Sequence, residues 1–256
     1  MSKRVAIVTG ASRGIGRATA IRLAKDYSAV VLVARSAELL EETSEAVRAT
    51  GAEALVIDAD LRDAAVAKTA VDETLGKYGR IDAVVNVAGA VPQIDLLEMT
   101  DEQWDDGFAL KLHGARRLTV CAWDALKKTH GSVIFTSGNS AQTPKSAFGA
   151  VATVNAAIVA MAKAFADRGT SDGVQVNSVL PGPVMTDRRR SYMEKYAPAH
   201  GMTVEEALEK FPSQAGITRY GKPEDIAELM AFVLSPAGNW LVGSALRMDG
   251  GEIKAV

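Results

Sequence analysis

The strongest constraint on this chain is the stretch Thr9-Gly10-Ala11-Ser12-Arg13-Gly14-Ile15-Gly16, which follows the apolar run Val5-Ala6-Ile7-Val8 and opens a helical pattern. A buried strand, a tight glycine turn and a helix N-terminus in that order form a phosphate site. Glycine lets the backbone turn sharply and approach a pyrophosphate. The helix end offers unpaired N–H groups and a partial positive charge. An ordinary strand–helix turn looks the same locally, so the rest of the chain decides.

The rest of the chain alternates. A helix from Ile15 to about Lys25 carries Ala18, Ile21 and Leu23 on an apolar stripe. Ala29–Ala34 is a continuous apolar run, as expected of a strand covered on both faces. Ser36 is placed to cap the next helix, which sets Leu39, Leu40, Thr43 and Val47 on one face and stops at Gly51. Further strands fall at 54–57, 81–85, 132–136, 174–179 and 244–248, with helices at about 63–77, 147–168 and 223–234. Thr100 with Gln103 spells a capping box for a long helix in which Trp104, Phe108 and Leu112 fall four apart. Residues 184–220 break the pattern, being charged, interrupted by Pro198 and Pro212, and without one steady period. Long irregular insertions in compact domains tend to carry function, so this segment is read as a lid over a substrate. The alternation predicts one α/β domain over 1–256, a Rossmann-type doubly wound parallel sheet of about seven strands with helices on both faces.

Composition narrows the class. Of 256 residues 48% are apolar and 23% charged, enough for a large core and against disorder. The net charge of −2 is scattered, which argues against a nucleic-acid surface. Cys121 is the sole cysteine, so no internal disulfide forms, which fits a reducing compartment. A strand beginning by residue 4 leaves no room for a secretory signal, and no apolar stretch reads as long enough to span a bilayer. The expectation is a cytoplasmic protein with a small-molecule substrate, without membrane, nucleic-acid or metal partner.

Over nearly its whole length the sequence resembles the short-chain dehydrogenase/reductase family. The resemblance rests on Thr9 to Gly16, Asn86-Val87-Ala88-Gly89, Pro181-Gly182-Pro183-Val184-Met185-Thr186 and Met248-Asp249-Gly250-Gly251, in the family's order. Arg219 to Ala227 is also typical of it. It implies a dinucleotide site at the carboxyl ends of the strands. Gly10, Ser12, Arg13, Gly14, Ile15 and Gly16 would cradle the pyrophosphate, and Asp60 and Leu61 would flank the adenine. Asn86, Ala88 and Gly89 would line the ribose, and Pro181, Gly182, Val184 and Thr186 the carboxamide end. The residue after the second strand distinguishes the cofactors, because an acid there bonds the ribose 2′-hydroxyl and repels a 2′-phosphate. Here Ala34-Arg35 stands in that place, with Arg13 nearby. Two guanidinium groups suit a phosphate, so NADP(H) is preferred and NAD(H) is the alternative. The resemblance further implies a homotetramer, or else a dimer.

The usual catalytic side chains of that family are replaced. None of Tyr27, Tyr78, Tyr192, Tyr196 and Tyr220 is followed by Lys four residues on. Aligning helix five puts Val151 in the tyrosine slot and Asn155 in the lysine slot. The serine slot falls on Gly138 beside Ser137 and Ser140, and the asparagine slot on Lys111. Lysine and asparagine have in effect exchanged places. Asn155 is then a candidate for the nicotinamide ribose and Ser137 for the substrate carbonyl. Lys111 is a candidate proton donor with a pKa lowered by desolvation, or else a surface or interface lysine. Tyr192, in the covering segment, is a second candidate donor. His113 and His130 read as surface residues, while His200 lies in the covering segment. Arg188, Arg189 and Arg190 read as a solvated run, with an anionic substrate group or the cofactor phosphates as the alternative. The resulting reading is an NADP(H)-dependent oxidoreductase with an atypical donor, acting on a small carbonyl, alcohol or enoyl compound. A catalytically inactive NADP(H)-binding sensor or structural protein is the alternative, and a lyase with a structural dinucleotide a third.

Overall fold

The computed structural model describes residues 3–255. Its centre is a seven-stranded parallel sheet in the order β3-β2-β1-β4-β5-β6-β7. The strands are β1 (Val5–Thr9), β2 (Ala29–Ala34), β3 (Glu53–Asp58), β4 (Ala83–Asn86), β5 (Ser132–Thr136), β6 (Gln175–Pro181) and β7 (Ala245–Met248). The strand order reverses between β1 and β4, and a crevice opens there beyond the carboxyl ends.

Each central strand is apolar on both faces because helices cover both. On one face Val5, Ile7, Val31, Val33, Val84, Val133 and Phe135 meet α3 (Ala64–Tyr78), α5 (Ala115–Thr129) and α6 (Gly149–Asp172). On the other, Ala6, Val8, Val30, Leu32, Val85 and Ile134 meet α1 (Gly14–Leu23), α2 (Ala37–Arg48) and α9 (Pro223–Val233). Phe135 is fully buried and stacks on Phe165, which in turn lies against Trp123.

Three local expectations change. Ser36 precedes α2 but its side chain makes no capping bond, whereas Asp63 caps α3 by accepting from Ala65 N at 2.9 Å. The long helix after Thr100 is divided. Its capping box and the Trp104–Phe108 stack hold α4 (Asp101–Phe108), but a six-residue π-helical turn, Ala109–Gly114, then joins it to α5. The wider turn breaks the four-residue stripe before Leu112 and carries Lys111. Third, the segment after β6 is largely helical: α7 (Asp187–Ala199) and α8 (Val204–Gln214) form a hairpin. It has a small core of its own, with Met193, Ala197 and Ala207 buried among Tyr192, Tyr196, Leu208 and Phe211. Pro198 and Pro212 lie in the last turns, where each removes one i→i−4 bond but little helix remains to be kinked.

The membrane expectation also needs correction. Ser146–Asp172 is long and apolar enough to cross a bilayer by length and composition, with a mean hydropathy of 1.6. The cause is the core role of α6, whose Val154, Ile158 and Ala162 are buried against the sheet while Lys163, Asp167 and Arg168 are exposed. Among the described residues no cluster of His, Cys, Asp and Glu suited to a metal ion occurs.

Phe135→Ala should lower the unfolding free energy by about 3–5 kcal/mol, read from denaturant curves with an unchanged slope. A loss below about 1 kcal/mol would mean that the aromatic layer is not a continuous core.

Candidate active site

The first wall of the crevice is built from close backbone approach. Gly14 takes φ +55°, and a β-carbon on Gly16 would stand 2.1 Å from Gly10 O. A β-carbon on Gly10 would lie 3.0 Å from the main chain of Ala88. The Thr9 hydroxyl accepts from the N–H groups of both Val87 and Ala88 at 3.0 Å, which ties the β1 turn to the β4 turn. Arg13 stands at the N-cap of α1, and its side chain caps nothing. The first amides of α1 are therefore left for an anion. Ser12 and Ile15 are half-buried beside them.

Asn86 is buried, donates to Thr119 Oγ1 at 3.2 Å, and leaves its Oδ1 without a partner. On the opposite wall Gly182 N donates to Met248 O at 3.0 Å, and Met185 N donates to Gly221 O at 2.8 Å. Thr186 caps α7 by accepting from Arg189 N, and its methyl would lie 3.2 Å from a β-carbon on Gly14. Thus the segment after β6, from Pro181 through Val184 to Thr186, closes on the glycine turn. Between them lies a cleft lined by Ile15, Gln93, Gly182, Val184, Thr186, Arg188, Arg189 and Tyr192. A glycine cradle, free helix-end amides and an orphaned buried amide oxygen fit a dinucleotide.

At the adenine end, Arg35 is exposed and stands 3.7 Å from Asp60, a distance that leaves its guanidinium free to turn. Asp60 is shared with Arg62, which also pairs with Asp106. Leu61 is buried, and its carbonyl lies 2.9 Å from where a β-carbon on Gly114 would be.

The chemistry-bearing cluster lies at the other end. Lys111 lies on the π turn, its stem laid along Gly89, where a β-carbon would meet its Cδ at 2.9 Å. Its Nζ donates to Asn155 Oδ1 at 2.5 Å and to Ser137 O at 3.1 Å. Asn155 Nδ2 donates to Ser140 Oγ at 2.8 Å, so both polar ends of the Asn155 amide are engaged within the protein. Desolvation, with the positive charge of Arg188 adding to it, pulls the Lys111 ammonium down to about 7. Arg188 in turn donates to Gly89 O at 3.1 Å and to Val91 O at 2.8 Å.

Several expectations are revised by this geometry. Ser137 is buried and donates to Asn155 O at 2.7 Å, so its hydroxyl is directed into α6. Ser140 is the hydroxyl beside Asn155, and a count along the chain had left it only as a neighbour. Gly138 lies against the amide of Asn155, where a β-carbon would be 2.6 Å from Nδ2. Val151 packs partly buried on the core. Tyr192 sits between Phe148 and Tyr196, and burial raises its pKa, which makes it the weaker acid. His113 and His130 are exposed, and His200 stacks on Tyr196. Arg188 and Arg189 line the cleft, Arg188 at its exposed rim and Arg189 half-buried, while Arg190 is exposed and lines nothing there.

Comparison with known proteins identifies the family. The family model described as enoyl-(acyl carrier protein) reductase matches residues 10–252. The short-chain reductase NovJ of Streptomyces niveus is 34% identical over 254 residues, covering 97% of this chain and 93% of that protein. The 3-oxoacyl-[acyl-carrier-protein] reductase of Staphylococcus aureus is 29% identical, covering 96% of each. The structure of L-sorbose reductase from Gluconobacter frateurii, solved with NADPH and L-sorbose, superposes with a TM-score of 0.94 at 27% identity, covering 100% of this chain and 98% of that one. With the family model matching most of its length and the fold superposing on that reductase, the chain belongs to the short-chain dehydrogenase/reductase family.

Proposed function

We propose that this protein is an NADP(H)-dependent oxidoreductase in which Lys111 gives the proton to the oxygen of a carbonyl substrate. The observation that carries the reading is Lys111 Nζ held beside the β4 turn by Asn155 Oδ1 and Ser137 O. When bound, the dinucleotide supplies the hydride. The turn from Gly10 to Gly16 would hold its pyrophosphate, Arg13 and Arg35 its 2′-phosphate, and Asp60 and Leu61 its adenine. Asn86, Ala88 and Gly89 would line the ribose, with Pro181, Gly182, Val184 and Thr186 at the carboxamide. NADPH-bound relatives support this preference, the sorbose reductase among them.

The proton path belongs to the chain's own residues. An ammonium has three N–H groups, and the structure engages two, so the third is free to point at a substrate oxygen. Asn155 acts as a positioning residue, since its own polar ends are engaged by Lys111 and Ser140. Poor solvation stabilises the neutral amine left after transfer, and Arg188 acts in the same direction. A lysine near 7 is matched to proton transfer at neutral pH, as an ordinary lysine is not. Val151 has no proton to contribute, so the usual tyrosine role is carried elsewhere.

The tetramer implied by the resemblance is also part of this proposal. Phe232, Trp240, Val242 and Met248 are exposed around β7, and Val120 on α5. Apolar side chains left at a sheet edge support self-association.

NADPH consumption over carbonyl and enoyl compounds should reveal turnover that Lys111→Met lowers by roughly 10²–10⁴-fold. NADPH binding without any turnover would favour the inactive sensor. Reduction should need the ammonium, so its kcat/KM should fall as pH rises through about 7, and oxidation should rise. A profile unchanged in Lys111→Met would remove Lys111 as donor. Because the folded-state value lies below the ordinary 10.5, the unfolded chain binds more protons between the two. Stability should therefore rise with pH across that window. Lys111→Met should accordingly gain Tm at pH 6 and lose the gain near pH 10. Arg35→Asp should weaken NADPH by about 10–100-fold and NADH little, whereas equal weakening would mean that Arg35 does not read the 2′-phosphate.

A further inference from the structure

We infer that the substrate carries an oxyanion, a carboxylate or a phosphate ester, received by Arg189 on the inner side of the α7–α8 hairpin. The inference rests on the reductase reading and names its substrate class as an anionic carbonyl compound.

The first observation is uncompensated charge. Arg188 and Arg189 both line the cleft. Among the described residues, neither has a carboxylate oxygen within the 4.0 Å that defines an ion pair. Arg62, Arg80 and Arg219, by contrast, all have such a partner. Arg188 donates to the carbonyls of Gly89 and Val91, which latches the hairpin to the β4 turn without neutralising its charge. Arg189 has no side-chain acceptor at all among the described residues. Its guanidinium lies 4.8 Å from the ring centre of Phe211 and 5.7 Å from that of Tyr192. Rings in contact with a planar cation orient it and leave its in-plane N–H donors free for a carboxylate or phosphate. Burial pulls both guanidinium pKa values down, the signature of cations lacking sufficient counter-charge.

The second observation is the absence of an internal anion able to fill the place. Glu252 is the carboxylate whose charge acts on Arg189, yet it is bound to Asn139, and its own pKa is raised by burial. The hydroxyl of Tyr220, stacked on Phe211 in the same aromatic cluster, is buried without a partner. Two cations therefore line the cleft, with an unsatisfied hydroxyl in the aromatic cluster that backs Arg189, and no acid within pairing distance answers them. The pyrophosphate cradle at α1 has its own donors in helix-end amides, so Arg189 remains for the substrate.

The test measures binding and turnover separately. Calorimetry on the NADP⁺-loaded protein compares benzoate, phenyl phosphate and the neutral benzamide. At least one anion should bind about 10–100-fold tighter than benzamide, and Arg189→Gln should remove that preference. The stronger of the two anions identifies the group as carboxylate or phosphate. Turnover is compared for benzoylformate and its methyl ester, and for dihydroxyacetone phosphate and dihydroxyacetone. Arg189→Gln should lower kcat/KM for the anionic member alone, while exposed Arg190→Gln changes neither. Equal affinity for all three probes overturns the inference, as does an Arg189→Gln effect confined to the affinity for NADPH. Anion binding that depends on Arg189 without any turnover would leave the inference standing and the reductase reading refuted. Turnover of neutral carbonyls with no charge preference would do the reverse.

Discussion

The carboxyl edge of the sheet depends on one close approach, between the glycine turn after β1 and the turn after β4. Gly10 lies against the main chain of Ala88, and Gly16 lies over Gly10 O. The Thr9 hydroxyl binds two β4-turn amides at once. Added side-chain atoms at either glycine would part the turns, and the α1 amides would lose their aim into the crevice. Gly89, against which Lys111 rests, belongs to the same β4 turn, so the phosphate end and the proton-bearing end share one support.

Around that support, Lys111 and Asn155 are accommodated in volume as well as in polarity. The Lys111 stem occupies the space over Gly89, and the Asn155 amide occupies the space over Gly138. A serine at 138 would meet Nδ2 of Asn155, so the glycine and the asparagine fit one another. Holding an ammonium among packed neighbours has a desolvation cost, offset only in part by two oxygen acceptors. That unresolved cost keeps the group titrating near neutrality, which is the property a proton donor needs.

Much of the fold was legible. Apolar runs of period-free strands, helical stripes and the Thr100 capping box marked the alternation, since each signal is local. The α7–α8 hairpin was less legible because Arg, Lys and Glu dominate its composition. Yet Thr203 and Glu206 form a capping box, and Val204, Ala207, Leu208 and Phe211 lie at helical spacing. The site residues were legible as positions in a motif. Side-chain direction was not: Ser137 turns into α6 while Ser140, three residues on, meets the Asn155 amide, because a short helical turn follows Gly138.

By itself the sequence determined the order of elements, the parallel sheet and its crevice, and the absence of any tyrosine followed by lysine four residues on. These follow from periodicity and residue type, which act over a few neighbours. The tertiary structure decided that Lys111 meets Asn155 across 44 residues, and that Arg188 and Arg189 line the cleft while Arg190 does not. Such choices depend on a π turn that rotates one helix and on a hairpin latched to a distant loop. Both are set by packing between elements, and no local pattern encodes them.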